Sequence, residues 1–145
     1  MRILFLGDVV GISGCSKIMN NLLDQIKKNR IDFVIVNGEN AAESGVGLTK
    51  EICEDFFRCG VDVITTGNHV WDQKDIMNFI DKENRLLRPK NLFEPSPGKG
   101  FEIYDTKKNL KIGVLNLMGN IFMKKCDDVF ETSKKFMENY KLKKD

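Results

Sequence analysis

The sequence predicts an α/β fold organised on a parallel sheet, and three observations carry that expectation. Apolar runs at residues 3–6, 32–37 and 61–65 each stop within two residues of a glycine. Segments with apolar residues at helical spacing separate them. The middle run, Phe33-Val34-Ile35-Val36, is apolar without alternation, as expected of a strand buried on both faces. Each run also hands over to polar residues: Asp8 after the first, Glu39 and Asn40 after the second, Asn68 and His69 after the third. If the strands are parallel neighbours, those five side chains meet at one edge of the sheet, where ligands bind in α/β folds.

The elements follow in order. After the first strand, residues 7–14 form a glycine-spaced loop, and Ile18, Leu22 and Ile26 then recur at four-residue spacing, which predicts an amphipathic helix ending near Asn29. The loop at residues 38–47 is long for an α/β connection, which usually takes about 2 to 6 residues. Thr49 is placed to cap the next helix, Leu48, Ile52, Phe56 and Phe57 to face inward, and Gly60 to stop it in the left-handed region. Past the third strand, Asp72 and Asp75 are expected to cap and charge a helix packed through Ile76, Phe79 and Ile80. A turn-rich run at 94–100 precedes two strands, 101–104 and 111–117, joined as a hairpin. From Val129, Phe130, Phe136, Met137 and Tyr140 mark a last amphipathic helix.

At 145 residues and 41% hydrophobic content the chain suits one domain. The net charge of +2 is local: Lys134, Lys135, Lys141, Lys143 and Lys144 crowd the end, and the remainder is near neutral. No basic face for duplex nucleic acid is expected. Four cysteines without CxxC spacing read as reduced, largely buried thiols. The first strand begins at Arg2 without a leader pattern, and no apolar run approaches the ~20 residues of a membrane span. The expected compartment is the cytoplasm, with no membrane partner.

Carboxylate, amide oxygen and imidazole are ligands for divalent first-row metals, and a carboxylate such as Glu39 can bridge two ions. Two ions about 3.5 to 4 Å apart would clamp a phosphoryl oxygen and acidify a bound water. His69, the single histidine of the chain, is then free to act as general acid toward the departing oxygen. Each residue alone has a plainer reading: Asp8, Asn40 and Asn68 as turn or cap residues, His69 as a packing histidine beside Val70 and Trp71. Repetition at three strand ends favours chemistry. Gly7, Gly11 and Gly14 with Glu39 also suggest a dinucleotide-binding unit, but the spacing is G-x3-G-x2-G where the fingerprint needs G-x-G-x2-G. There is no GK[ST], no HExxH and no second histidine for a triad. Arg88, Asn91 and the turn Pro97-Gly98-Lys99-Gly100 are open to either a phosphate contact or a structural role.

Five blocks, Gly7-Asp8-Val9-Val10-Gly11, Asn37-Gly38-Glu39-Asn40-Ala41-Ala42, Gly67-Asn68-His69-Val70-Trp71-Asp72, Arg88-Pro89-Lys90-Asn91 and Pro97-Gly98-Lys99-Gly100, stand in the order and spacing of the YmdB-like metallophosphoesterases of bacteria, which the chain resembles. The resemblance runs from residue 1 to about residue 130. It implies a four-layer α/β fold, two divalent metal ions (iron or manganese), and hydrolysis of phosphodiesters of the 2′,3′-cyclic nucleotide type. It further implies Asp8, Glu39, Asn40 and Asn68 as metal ligands, Glu39 bridging, and His69 as proton donor. The chain departs from the family in three places. Met118-Gly119-Asn120 stands where a glutamine and an arginine are frequent, Lys90 stands where alanine is usual, and the further histidine ligands of the family's second half have no counterpart. Residues 1–145 are therefore expected to be the N-terminal part of a longer family domain, holding metal weakly and inactive alone. An uncovered sheet that pairs with a partner or a second copy is expected as well. The rival from another class is a non-catalytic interaction domain that keeps the fold.

Overall fold

Hydrogen bonding between the apolar runs builds the sheet that their spacing predicts. The computed structural model describes residues 1–93, 95–123 and 125–140. Strands β1 (Ile3–Leu6), β2 (Phe33–Asn37), β3 (Val63–Thr65) and β4 (Leu86–Leu87) pair in that order, all parallel. Helices α1 (Gly11–Asn29) and α2 (Lys50–Arg58) make the crossovers. Both pack on one face, where Leu22, Cys53 and Phe56 join Val34, Val36 and Ile64 in the main core. As expected, Thr49 caps α2 by accepting from the Ile52 amide at 3.3 Å, and Gly60 takes φ +102°, a region that Cβ-bearing residues avoid.

The other face is covered by an antiparallel hairpin, β5 (Phe101–Asp105) and β6 (Lys111–Leu115). Alternation decides which side chains meet the sheet. Tyr104, Ile112 and Val114 pack on Phe33, Val63 and Leu87, while Phe101 turns outward against Phe136 and Tyr140 at the end of α3 (Val129–Asn139). The layer order is thus helix, sheet, sheet, helix. Residues 141–145, with Lys141, Lys143 and Lys144, lie outside the described residues.

Two expectations are corrected, and one strand is added. The segment after His69 forms a short 3-10 helix (Lys74–Asn78) with Gln73 at its N-terminal boundary, so neither Asp72 nor Asp75 caps an α-helix. Both carboxylates are engaged elsewhere: Asp72 with His69 at 2.6 Å, and Asp75 with the Lys50 amide at 3.1 Å. Ile76 and Ile80 are buried as expected. Strand β3 begins at Val63, two residues late, because Val61 closes the end of α2 through its bond to the Phe56 carbonyl. Strand β4 has no counterpart in the sequence reading, two residues being too short for a periodic signal.

All four cysteines are free thiols, with Cys15, Cys53 and Cys59 buried and Cys126 half-buried. Burial pushes the Cys53 thiol up to about 12, which keeps it in the unreactive thiol form near pH 8. Burial also raises Cys15 and Cys59, and more weakly shielded Cys126. Iodoacetamide at pH 8 is expected to label Cys126 first and spare the other three. Equal labelling of all four in the folded chain would contradict this core. No helix among the described residues is long and apolar enough to cross a membrane.

Candidate active site at the carboxyl edge of the sheet

Strand polarity sends the ends of β1, β2 and β3 to one edge, and backbone bonds then tie their loops together. The Val9 amide donates to the Asn37 carbonyl at 3.1 Å and the Gly11 amide to the Asn40 carbonyl at 2.9 Å. These bonds lay the loop after β1 on the loop after β2. In consequence the Asn40 Nδ2 donates to Asp8 Oδ2 at 2.8 Å, joining residues 32 positions apart.

Glu39 is held from both sides of its backbone: its amide donates to Asn37 Oδ1 at 3.3 Å, and its carbonyl accepts from the Gly47 amide at 2.6 Å. Its carboxylate lies against Gly67, at the end of β3. A Cβ on Gly67 would stand 2.1 Å from Glu39 Oε2 and 2.6 Å from Cδ, so this seat exists only because residue 67 has no side chain. Glu39 Oε2 and Asn40 Oδ1 are both buried and, among the described residues, have no hydrogen-bond partner. A buried polar atom left unpartnered costs about 1–3 kcal/mol. Two such oxygens in adjacent residues, one of them in a carboxylate, mark a place for a cation or a donor.

Asn68 and His69 follow Gly67 in tight turns closed by Val70 N to Gly67 O at 3.2 Å and Asp72 N to His69 O at 3.1 Å. The Asn68 side chain makes no hydrogen bond among the described residues and is half-buried. His69 is half-buried too, its Nδ1 paired with Asp72 Oδ2 at 2.6 Å. Of the five residues expected here, Asp8 and Asn40 are hydrogen-bonded to each other, Glu39 meets the β3 end through Gly67, and His69 pairs with Asp72.

Supporting residues escape the sequence reading because each has an ordinary local explanation. Gly67 reads as a turn glycine and Asp72 as a helix cap. Gln73 looks like a surface residue, yet its Nε2 donates to the Val46 carbonyl at 2.9 Å and to Ser44 Oγ at 3.3 Å, latching the long 38–47 loop to the β3 loop. Asn116 donates to the Thr66 carbonyl at 2.8 Å and to Leu87 at 3.0 Å, anchoring the hairpin to the same edge. Arg88, Asn91 and Lys99 take structural roles. Arg88 is buried and donates to the carbonyls of Pro89, Ser96 and Pro97, Asn91 bonds both backbone groups of Met118, and Lys99 pairs with Glu102.

Among the described residues no three His, Cys, Asp or Glu side chains converge on one point. The donors at this edge are instead two carboxylates and two amides, a hard set that suits divalent cations, and the orphaned oxygens of Glu39 and Asn40 are free to ligate. The residues present therefore fit a metal, though only as part of a full coordination sphere.

A parallel sheet that gathers carboxylates, amides and one histidine at its carboxyl edge defines an α/β protein with a candidate site at its strand ends. The same fold recurs in solved structures. A hypothetical protein of Thermus thermophilus superposes with a TM-score of 0.88 at 36% identity, over 97% of this chain and 54% of that one. A Mycoplasma pneumoniae protein described as a novel phosphatase gives 0.85 at 33% identity, over 97% and 52%. The chain belongs to the YmdB-like protein family, whose sequence model matches residues 4–145. It is 44% identical over 130 residues to the 2′,3′-cyclic-nucleotide 2′-phosphodiesterase of Bacillus subtilis, covering 90% of this chain and 48% of that protein. The chain thus spans about half the length of these relatives.

Proposed function

We propose that this chain carries the Asp8, Glu39, Asn40, Asn68 and His69 portion of a metal-dependent phosphodiester hydrolase site. The observation behind this reading is the pair of buried oxygens without partners, Glu39 Oε2 and Asn40 Oδ1, next to the Asp8 carboxylate that Asn40 contacts. The substrate class, 2′,3′-cyclic nucleotides, is supported by the name of the Bacillus relative.

Asp8 and Glu39 would hold two divalent ions, manganese or iron, with Glu39 between them and Asn40 and Asn68 adding neutral oxygens. Bound there, the ions supply positive charge for the phosphoryl oxygens and make an attacking water more acidic. Without them, two carboxylates at one edge repel a phosphodiester, so cation binding and substrate binding are coupled. His69 acts on the leaving side. Asp72 accepts a hydrogen bond from Nδ1–H and fixes the ring, so that the doubly protonated imidazole hands its Nε2 proton to the departing oxygen and is left neutral, with Nδ1–H still on Asp72. For a substrate like that of the Bacillus relative, that atom is the ribose 2′ oxygen.

Four side chains cannot fill two coordination spheres. This chain by itself is expected to bind Mn²⁺ weakly and to turn over slowly. Calorimetric titration with Mn²⁺, paired with hydrolysis of bis-p-nitrophenyl phosphate, tests the reading; no Mn²⁺ uptake at any concentration would overturn it.

His69→Ala is expected to lower turnover by about 10²- to 10⁴-fold and leave Mn²⁺ binding unchanged. Asp72→Asn should cost about tenfold or more in turnover and alter the imidazole ¹⁵N shifts, a readout available even where turnover is too slow to follow. Identical shifts in that variant would remove Asp72 from the mechanism.

A further inference from the structure

Asp72 and Gln73 are neighbours in the chain but serve different loops. Asp72 Oδ2 meets His69 Nδ1 at 2.6 Å, whereas Gln73 Nε2 donates to the Val46 carbonyl at 2.9 Å and to Ser44 Oγ at 3.3 Å. Gly47 is buried against the same glutamine: a Cβ there would stand 2.6 Å from Gln73 Cγ and 3.0 Å from its backbone nitrogen. Gly47 in turn donates its amide to the Glu39 carbonyl. The path from Gln73 to the backbone of Glu39 therefore runs through Gly47 alone. Other ties of this loop lead elsewhere. Asn40 and Ala41 accept from the Gly11 amide and the Cys15 thiol on the α1 side, and Gly38 donates to Thr65 at the root of the loop. Among the described residues, it is the Gln73 side chain that bonds the outer part of the loop, residues 44–46, to the segment carrying His69.

We propose that Gln73 is a positioning residue which, together with Asp72, fixes the spacing between the Glu39 carboxylate and the His69 imidazole. The proposal rests on the hydrolase reading above. A proton donor must come within about 2.6–3.2 Å of the leaving oxygen, while ligands on another loop hold the opposite end of the reacting group. A misplacement of about 1 Å between such parts can cost about 10²-fold in rate. Gln73 sets that spacing without touching substrate. It also acts before a cation arrives: by keeping Gly47 on Glu39 it holds the carboxylate in its seat beside Gly67, so that less ordering is left for the cation to impose.

Gln73→Met tests this, because it keeps an unbranched side chain to pack on Gly47 and deletes the donor. Calorimetry should show Mn²⁺ affinity about 10- to 100-fold lower. In the metal-free chain, exchange of the Gly45 and Gly47 amides should quicken at least ~tenfold. The single histidine makes the spacing itself readable, since bound Mn²⁺ broadens nearby ring-proton resonances steeply with distance. At Mn²⁺ concentrations that saturate each protein, broadening of the His69 signals should weaken in the variant, a change that general loosening of the fold does not produce. Asp75→Ala is the structural control. It removes only the bond from the Lys50 amide, past the loop at the start of α2, and should leave both Mn²⁺ affinity and His69 broadening as in the parent. Affinity and broadening unaltered in Gln73→Met, or equally reduced in Asp75→Ala, would overturn the positioning role while the site reading stands. A parent chain that takes up no Mn²⁺, or takes it up without broadening His69, would overturn the site reading and the role of Gln73 with it.

Discussion

Gly67→Ala is expected to remove metal binding while leaving the fold in place. The added Cβ would stand 2.1 Å from Glu39 Oε2, a separation no real structure tolerates. What yields is the far end of a flexible side chain, because the backbone of Gly67 is fixed by its bond from the Val70 amide and by the neighbouring Asn116 anchor on Thr66. The carboxylate must therefore leave its seat. With Glu39 in its proposed role as a bridging ligand, its loss should weaken Mn²⁺ binding by more than the 10- to 100-fold typical of a supporting residue, so at least about 100-fold. Calorimetry reads the affinity, and circular dichroism checks that β3 and its neighbours remain. Unchanged Mn²⁺ affinity in a folded variant would show that Glu39 does not ligate from this position.

Glu39→Gln removes charge without volume and should have an effect of similar size. The amide retains one acceptor oxygen but cannot bridge two cations, and the negative charge left at the site is that of Asp8. Mn²⁺ affinity is expected to fall at least ~100-fold. The metal-free variant should be no less stable than the parent, because it no longer buries a carboxylate oxygen without a partner. These two readouts move in different directions only if residue 39 serves binding at some cost to folding. A variant that binds Mn²⁺ as the parent does would sink the bridging role.

The pairing of Gly67 with Glu39 also shows why part of this site cannot be read from the chain. Asp8, Glu39, Asn40, Asn68 and His69 stand out because the same local event, an apolar run ending in polar residues, occurs three times. Gly67, Asp72, Gln73 and Asn116 carry no such repetition. Asp72 in particular satisfies every local rule for a helix cap, yet the helix it would cap is a short 3-10 turn, and its carboxylate serves His69 instead.

The sequence by itself determined the class of fold, the first three strands, the α1 and α2 crossovers and the hairpin, since periodicity and turn residues are local signals that survive without tertiary context. It also determined which residue types reach the carboxyl edge. Tertiary structure alone decided which of them touch: that Asn40 reaches Asp8, that Glu39 rests on a bare glycine from another strand, and that His69 turns to Asp72. Such contacts depend on how loops from different strands settle on one another through bonds such as Gly11 to Asn40 and Gln73 to Val46. They are set by distances between residues far apart in the chain, which no local pattern encodes.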